Sequence, residues 1–241
     1  MTAALVAQGG PVIPQFERAS DCIRQNKQFC FDWFVDNFGH VFAPRLVEHV
    51  WLTGIAVGVG FAIAFTAALV AYSLDWFETP FAIAAAFLYT IPSLAFFQLL
   101  VPITGLTTTS AEIALVSYTL LILFRNTLTG LREVPEDARL AARAMGLTKG
   151  QILRRVELPL ALPAIMAGIR IATVTTISLA TVAAFIGVGG LGQPIFNAIQ
   201  SGFKTQFIGA GILAVALALV ADGLLVLLQR MLAPWLRARR A

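Results

Sequence analysis

No charged residue interrupts the chain between Trp51 and Ser73. About 20 apolar residues are enough to cross the hydrocarbon core of a bilayer as a helix. A stretch of this kind narrows the choice of fold sharply. Hydrocarbon offers no hydrogen bonds, so the backbone polar groups must be satisfied within the segment, and a helix does this by itself.

Four further runs follow the same rule. The second span is expected from near Pro80 to near Pro102, with a kink at Pro92 whose freed backbone groups need partners from neighbouring helices. The third starts around Glu112 and reaches Arg125, which can snorkel at the boundary. The fourth begins near Pro163 and runs to about Gly187, with Arg170 near its cytoplasmic end. The fifth covers roughly Phe207 to Leu228 and contains Asp222. Composition agrees, since 58% of residues are hydrophobic and 12% charged, against about 25% charged in soluble domains. The fold class is therefore an all-α polytopic membrane protein of about five spans. The net charge of +4 does not point to nucleic acid, because no basic face with stacking aromatics lies outside the apolar runs.

The most charged stretch outside the two ends is Glu136 to Pro163, between the third and fourth spans. Its spelling predicts two short helices. Pro135 suits a first helical position, and Glu136 and Asp137 sit against the positive end of the dipole. Gly146 supplies a left-handed stop, at a joint where positive φ is free of strain only for glycine. Thr148 and Gln151 stand in capping-box spacing for the second helix, and Pro159 is expected to end it.

This stretch resembles the EAA loop of the membrane subunits of bacterial binding-protein-dependent ABC importers, a pattern that reads E-A-A-x3-G-x9-I-x-L-P. Ala141-Ala142, Gly146 and Val156-Glu157-Leu158-Pro159 carry the match. Leu140 stands where the pattern has glutamate, and Val156 where it has isoleucine. The segments Thr90 to Ala95, Ile122 to Thr127 and Val182 to Gly192 are similar to the osmoprotectant branch, whose members import glycine betaine, carnitine or choline. The resemblance covers about Leu46 to Val226.

The resemblance implies a type I ABC importer transmembrane domain over residues 46–226. It is preceded by an extracytoplasmic segment (1–45) and followed by a basic cytoplasmic tail (227–241). It implies a pair of ABC ATPase subunits, a second copy or a related permease subunit, and an extracytoplasmic substrate-binding protein. Quaternary-ammonium selectivity would rest mostly on an aromatic cage in that binding protein. The loop over residues 136–163 would be the coupling element. Leu140, Ala141, Ala142, Ala144, Met145, Gly146, Val156, Leu158 and Pro159 are its candidate residues, with apolar contacts entering a groove on the ATPase. Packing of the same residues against the protein's own spans is the alternative. ATP and Mg would belong to the partner, since the chain has no G-x-x-x-x-G-K-[ST] loop. No catalytic residue, metal site or cofactor is expected in the chain itself.

Placing the loop in the cytoplasm puts twelve of the 17 basic residues inside and five outside. The positive-inside rule then gives N-terminus out and C-terminus in. In an oxidising outer compartment Cys22 and Cys30, the only cysteines, are expected to pair, with two unpaired thiols beside the membrane as the alternative. The aromatic cluster Phe29, Phe31, Trp33, Phe34 and Phe38 has two readings: an anchor along the membrane interface, or packing on the protein's own outer surface. No cleavable signal peptide is expected, because the first 50 residues lack a basic region followed by an apolar run.

Polar residues inside spans usually turn away from lipid. Ser93, Gln98, Ser117, Asn126, Thr173, Thr175, Thr176, Ser178 and Thr181 are the candidates for a translocation path, and bonding back to their own helices is the alternative. Gly187 to Gly192 spells G-x-G-x-x-G, but it follows a span rather than a strand, and reads as a flexible exit turn. His40 and His49 have no metal-ligand partners and read as ordinary polar residues. An ion-coupled secondary transporter is the competing function. It would rest on Asp222 as a lone intramembrane acid. Other small solutes, such as an amino acid, a sulfonate or a thiol-imidazole betaine, are the competing cargoes.

Overall fold

The computed structural model describes residues 20–235. Arg18 and the tail residues Arg237, Arg239 and Arg240 lie outside them. Eleven α-helices occur among the described residues. Two short ones, α1 (Asp21–Arg24) and α2 (Phe31–Asn37), lead through a π-helical turn into α3 (Ala43–Ser73). Next come α4 (Asp75–Thr90), α5 (Ser93–Thr104) and α6 (Thr108–Arg132). The charged loop forms α7 (Glu136–Ala144) and α8 (Lys149–Ile152), and a second π-helical turn joins it to α9 (Leu158–Val182). After a glycine-rich turn, α10 (Gly192–Ser201) and α11 (Lys204–Leu232) are the last helices among the described residues.

The core is a layer in which α6 lies between α3 and α9, with α4 and α5 flanking α6 and α11 lying along α9. Small residues set the spacing. A Cβ at Gly60 would overlap Thr119, one at Gly130 would stand 2.7 Å from Ala164, and one at Gly168 would stand 2.6 Å from Asn126. Glycine at these points lets backbones approach as in other membrane helix pairs. Ala64, Ala67, Ala68 and Ala71 of α3 then pack on Leu123, Phe124 and Leu128 of α6.

Four helical segments are long and apolar enough to cross a membrane, and α4 with α5 makes a fifth span if taken as one. That pair corrects the second expected span. In place of one kinked helix from Pro80 to Pro102, α4 and α5 meet at 99°. Ile91 is extended at φ −64°, ψ 127°, as steric conflict with the following proline favours. The carbonyl of Ile91 accepts the Tyr118 hydroxyl at 2.5 Å, which answers the need for an outside partner. The first span is longer than expected, because α3 starts at Ala43 rather than Trp51. The fourth is longer too. Pro159 does not end the second loop helix, and helical structure continues from Lys149 to Ile186. The ring of Pro159 would press on the carbonyl of Arg155 in a regular helix, and Arg155 lies inside the π-helical turn Leu153–Glu157. Arg170 therefore sits midway along α9 rather than near a cytoplasmic end.

Candidate functional site

The charged loop folds at the end of the bundle where α3 and α6 finish. Pro135 caps α7 rather than occupying its first turn, with Glu136 and Asp137 in that turn. The helix closes on Gly146 at φ +79°. There Gly146 N–H donates to Arg143 O at 2.9 Å and Leu147 N–H to Ala142 O at 3.2 Å. These two bonds are the Schellman pattern, which satisfies the orphan carbonyls of a helix end. Thr148 N–H donates to the Gln151 Oε1 at 2.9 Å and completes the capping box.

The nine loop residues named from sequence divide into two groups. Leu140 is 52% exposed and Met145 is 71% exposed, and Ala141, Ala144 and Gly146 are exposed beside them. Ala142 is buried. Val156, Leu158 and Pro159 are half-buried, and Leu158 packs on Leu131, Val134, Ala161 and Ile165. The loop thus shows an apolar outward face and has a second set of residues seated in the bundle.

Glu157 joins those two sets. Its side chain is 8% exposed, a burial that a carboxylate tolerates only when paired. It accepts from Tyr72 Oη of α3 at 2.6 Å and from Arg139 Nε of α7 at 2.9 Å. Arg139 also donates to Leu131 O at the end of α6 at 2.8 Å, and to Glu136 at 3.2 Å. Arg139 therefore ties α7 to α6 and to the root of α9, and Glu157 carries the link on to α3. Beside it, Arg132 donates to both carboxylate oxygens of Glu78, at 2.9 and 2.5 Å. None of this network was singled out from sequence. Glu157 lies within the matched motif, and it is buried as the last residue of the π-helical turn.

The opposite end is held differently. The turn at Gly187 to Gly192, expected to be flexible, is clamped by α3. Gly190 N–H donates to Glu48 Oε2 at 3.0 Å, and Leu191 N–H donates to His49 Nδ1 at 3.1 Å. With Nδ1 accepting, Nε2 carries the proton and donates to Ile177 O at 3.0 Å. A Cβ at Gly189 would overlap the Glu48 carboxylate, and one at Gly190 would lie 2.9 Å from His49 Nδ1. The glycines are required because side chains of α3 occupy the space.

At the same end Cys22 and Cys30 form a disulfide, with Cα atoms 5.8 Å apart. The short loop they close presents Asn26, whose Nδ2 donates to Gly202 O at 2.8 Å while its Oδ1 accepts Lys204 N–H at 3.2 Å. Cys30 N–H donates to Thr205 Oγ1 at 2.9 Å. The aromatic cluster packs inward. Trp33 meets Phe203 edge-on at 4.7 Å and Phe34 meets Phe42 at 5.0 Å, while Phe31 alone of the cluster is fully outside, at 68% exposed.

The nine polar residues proposed for a path are spread over α5, α6 and α9. Ser117, Asn126, Thr173 and Thr181 donate to carbonyls three or four residues back in their own helix. Thr176 is buried, Ser93 half-buried, and Gln98 and Ser178 exposed. Thr175 lines a groove of about 390 Å³ shared with Ala167, Arg170, Ile171, Val174 and Asp222. Asp222 is not the lone acid expected. Arg170 holds it with two parallel bonds, Nε to Oδ1 at 2.7 Å and Nη2 to Oδ2 at 2.9 Å. The sequence showed both residues, but their pairing needs α9 and α11 side by side.

Residues 54–238 match the family described as the binding-protein-dependent transport system inner membrane component. The osmoprotectant import permease protein OsmW of Salmonella typhimurium is 38% identical over 84% of this chain and 96% of its own length. The choline transport system permease protein OpuBB of Bacillus subtilis is 34% identical over 83% of this chain and 93% of its own. The carnitine transport permease protein OpuCB of Listeria monocytogenes is 34% identical over 83% and 92% respectively. A chain of the inward-facing MetNI methionine ABC transporter shares the fold, with a TM-score of 0.71 at 23% identity over 82% of this chain and 98% of that one. The chain therefore belongs to the family of binding-protein-dependent transport system inner membrane components, and is a multi-pass inner-membrane permease subunit with the type I ABC importer fold.

Proposed function

We propose that this chain forms the membrane path of an ATP-driven importer for small quaternary ammonium osmoprotectants such as glycine betaine, carnitine or choline. A binding protein on the disulfide side delivers the solute. A pair of ATPase subunits, holding ATP and Mg, docks on the loop end, and a second permease copy or a related subunit completes the path. The N-terminus lies outside and the C-terminus inside. The roles of OsmW, OpuBB and OpuCB as osmoprotectant, choline and carnitine permeases support the cargo. The observation that carries the mechanism is the outward apolar face of α7, with Leu140 and Met145 exposed, on a helix anchored through Arg139 and Glu157 to three spans. A groove on a partner takes such a face, and the anchors pass its displacement to α3, α6 and α9. Coupling requires contacts that differ between the two states of the path.

Gly146→Val tests this reading. A Cβ at Gly146 meets nothing within 4 Å, so the substitution acts through the backbone alone. It removes the left-handed joint at a cost of about 1–2 kcal/mol and turns the α7 face away from its groove. The expected result is normal membrane abundance, lost uptake, and ATPase activity no longer stimulated by loaded binding protein. Full uptake with normal stimulation would show that this loop is not the coupling element.

A further inference from the structure

A bidentate ion pair stands in the middle of two spans without being enclosed. Arg170 lies twelve residues into α9, roughly 18 Å from its start at 1.5 Å per residue. Asp222 lies 18 residues into the 29-residue α11. Both side chains remain about one-third exposed, and both line the groove of about 390 Å³ between the two helices. Charge at this depth is costly against lipid and belongs to a water-filled cavity or a protein contact. The rest of the groove wall is Ala167, Ile171, Val174 and the hydroxyl-bearing Thr175, an apolar surface broken by one neutral polar group.

We propose that this groove is a transient binding site for zwitterionic solutes, and that Arg170 and Asp222 hold such a solute by exchanging partners with it. The inference rests on the osmoprotectant reading above. A solute bearing a quaternary ammonium and a carboxylate is itself an ion pair. Its carboxylate replaces Asp222 on the planar fork of Arg170, the geometry that suits bidentate carboxylate recognition. Its ammonium group faces the Asp222 carboxylate, with its methyl groups against Ile171 and Val174. Each charge in the groove leaves one partner and gains another. Binding is therefore close to balanced, and the solute is not trapped on its way through. A cation without a carboxylate engages Asp222 only, and leaves Arg170 without a partner at a depth where charge is costly. The groove thus favours zwitterions over simple cations, independently of the binding protein.

The test uses the complete transporter, with its ATPase and binding protein, in proteoliposomes. Uptake of labelled glycine betaine and carnitine is compared with uptake of labelled choline. The double variant Arg170→Met with Asp222→Leu removes both charges and leaves neither orphaned, a replacement that structural ion pairs commonly tolerate. The expected result is unchanged abundance, with zwitterion uptake lowered by about tenfold or more, as the loss of charge-assisted contacts implies. Choline uptake should change by less than about threefold, since the contact a cation loses at Asp222 is offset by no longer leaving Arg170 without a partner. Equal losses for the three solutes, or no loss, would overturn the inference while leaving the osmoprotectant reading intact. A wild-type complex that carries none of the three would overturn that reading and the ligand class drawn from it.

Discussion

The two ends of the bundle are tied by different chemistry. At the loop end, long charged side chains do the work. Arg139 gathers Glu157, Glu136 and Leu131 O, Tyr72 joins from α3, and Arg132 holds Glu78. At the disulfide end side chains grip backbone groups instead: Glu48, itself paired with Arg45, and His49 hold the amides of Gly190 and Leu191, and Asn26 of the Cys22–Cys30 loop holds Gly202 and Lys204. Side-chain links can be lengthened, exchanged and remade as helices move. A turn whose backbone amides are gripped, and whose Cβ positions are already occupied, has one arrangement. The difference suggests a hinge at the loop end and a fixed frame at the other.

Breaking each end should separate these roles. The largest effect is expected from Arg139→Leu, which leaves the buried Glu157 carboxylate with Tyr72 alone. Removing one member of a buried pair costs roughly 3–5 kcal/mol, so thermal unfolding of the purified subunit should shift downward and uptake should fail. Glu157→Gln keeps an acceptor for Tyr72 and should recover much of that stability without restoring coupled ATPase activity.

At the other end, Gly192→Ala drives a Cβ into the backbone of Thr181, where no side chain can swing aside. Overpacking of this kind costs about 1–3 kcal/mol. It should lower stability with a smaller change in ATPase stimulation per folded molecule. Replacing Cys22 and Cys30 with serine removes a loop constraint worth roughly 2–3 kcal/mol in a chain-entropy account. Its signature should be local: faster amide exchange over Phe203 to Gly209, with the loop end unchanged. The smallest effect is expected from Arg132→Ala, because its bridge to Glu78 is partly solvated, with Arg132 45% exposed. Such pairs contribute about 0–1 kcal/mol and are screened by salt. High salt should therefore mimic this variant at the loop end, while at the disulfide end it screens only the exposed Arg24–Asp21 and Arg45–Glu48 pairs and leaves the disulfide and the His49 bonds in place.

How much of this was legible in the sequence follows from how local each feature is. The spans, the Gly146 joint and the Thr148–Gln151 capping box follow from apolar runs and short-range grammar, and the structure shows them with changed ends. The second span misled because Pro92 alone does not say how far a helix turns. At the turn of 99° the Ile91 carbonyl is taken by Tyr118, a residue far along the chain. Pro159 misled in the opposite sense, since a π-helical turn absorbed it. The pairs that tie the ends together join residues far apart in the chain, such as His49 with Leu191 and Arg170 with Asp222. No periodicity within one helix records them. Asp222 looked solitary for that reason, and the glycines of the exit turn looked flexible when they were making room.

The comparison of ends is tested most directly by asking which one meets the ATPase. Met145→Cys on the loop and Ile199→Cys on α10 are both well exposed, at 71% and 60% for the native residues, and they sit at opposite ends. A short bifunctional thiol reagent is applied to membranes holding the full transporter, with cysteines placed along the ATPase groove. The account predicts a cross-link from position 145 whose yield changes when ATP is bound, and none from position 199. A cross-link from position 199, or a position 145 that reacts with impermeant reagent added outside the cell, would contradict it.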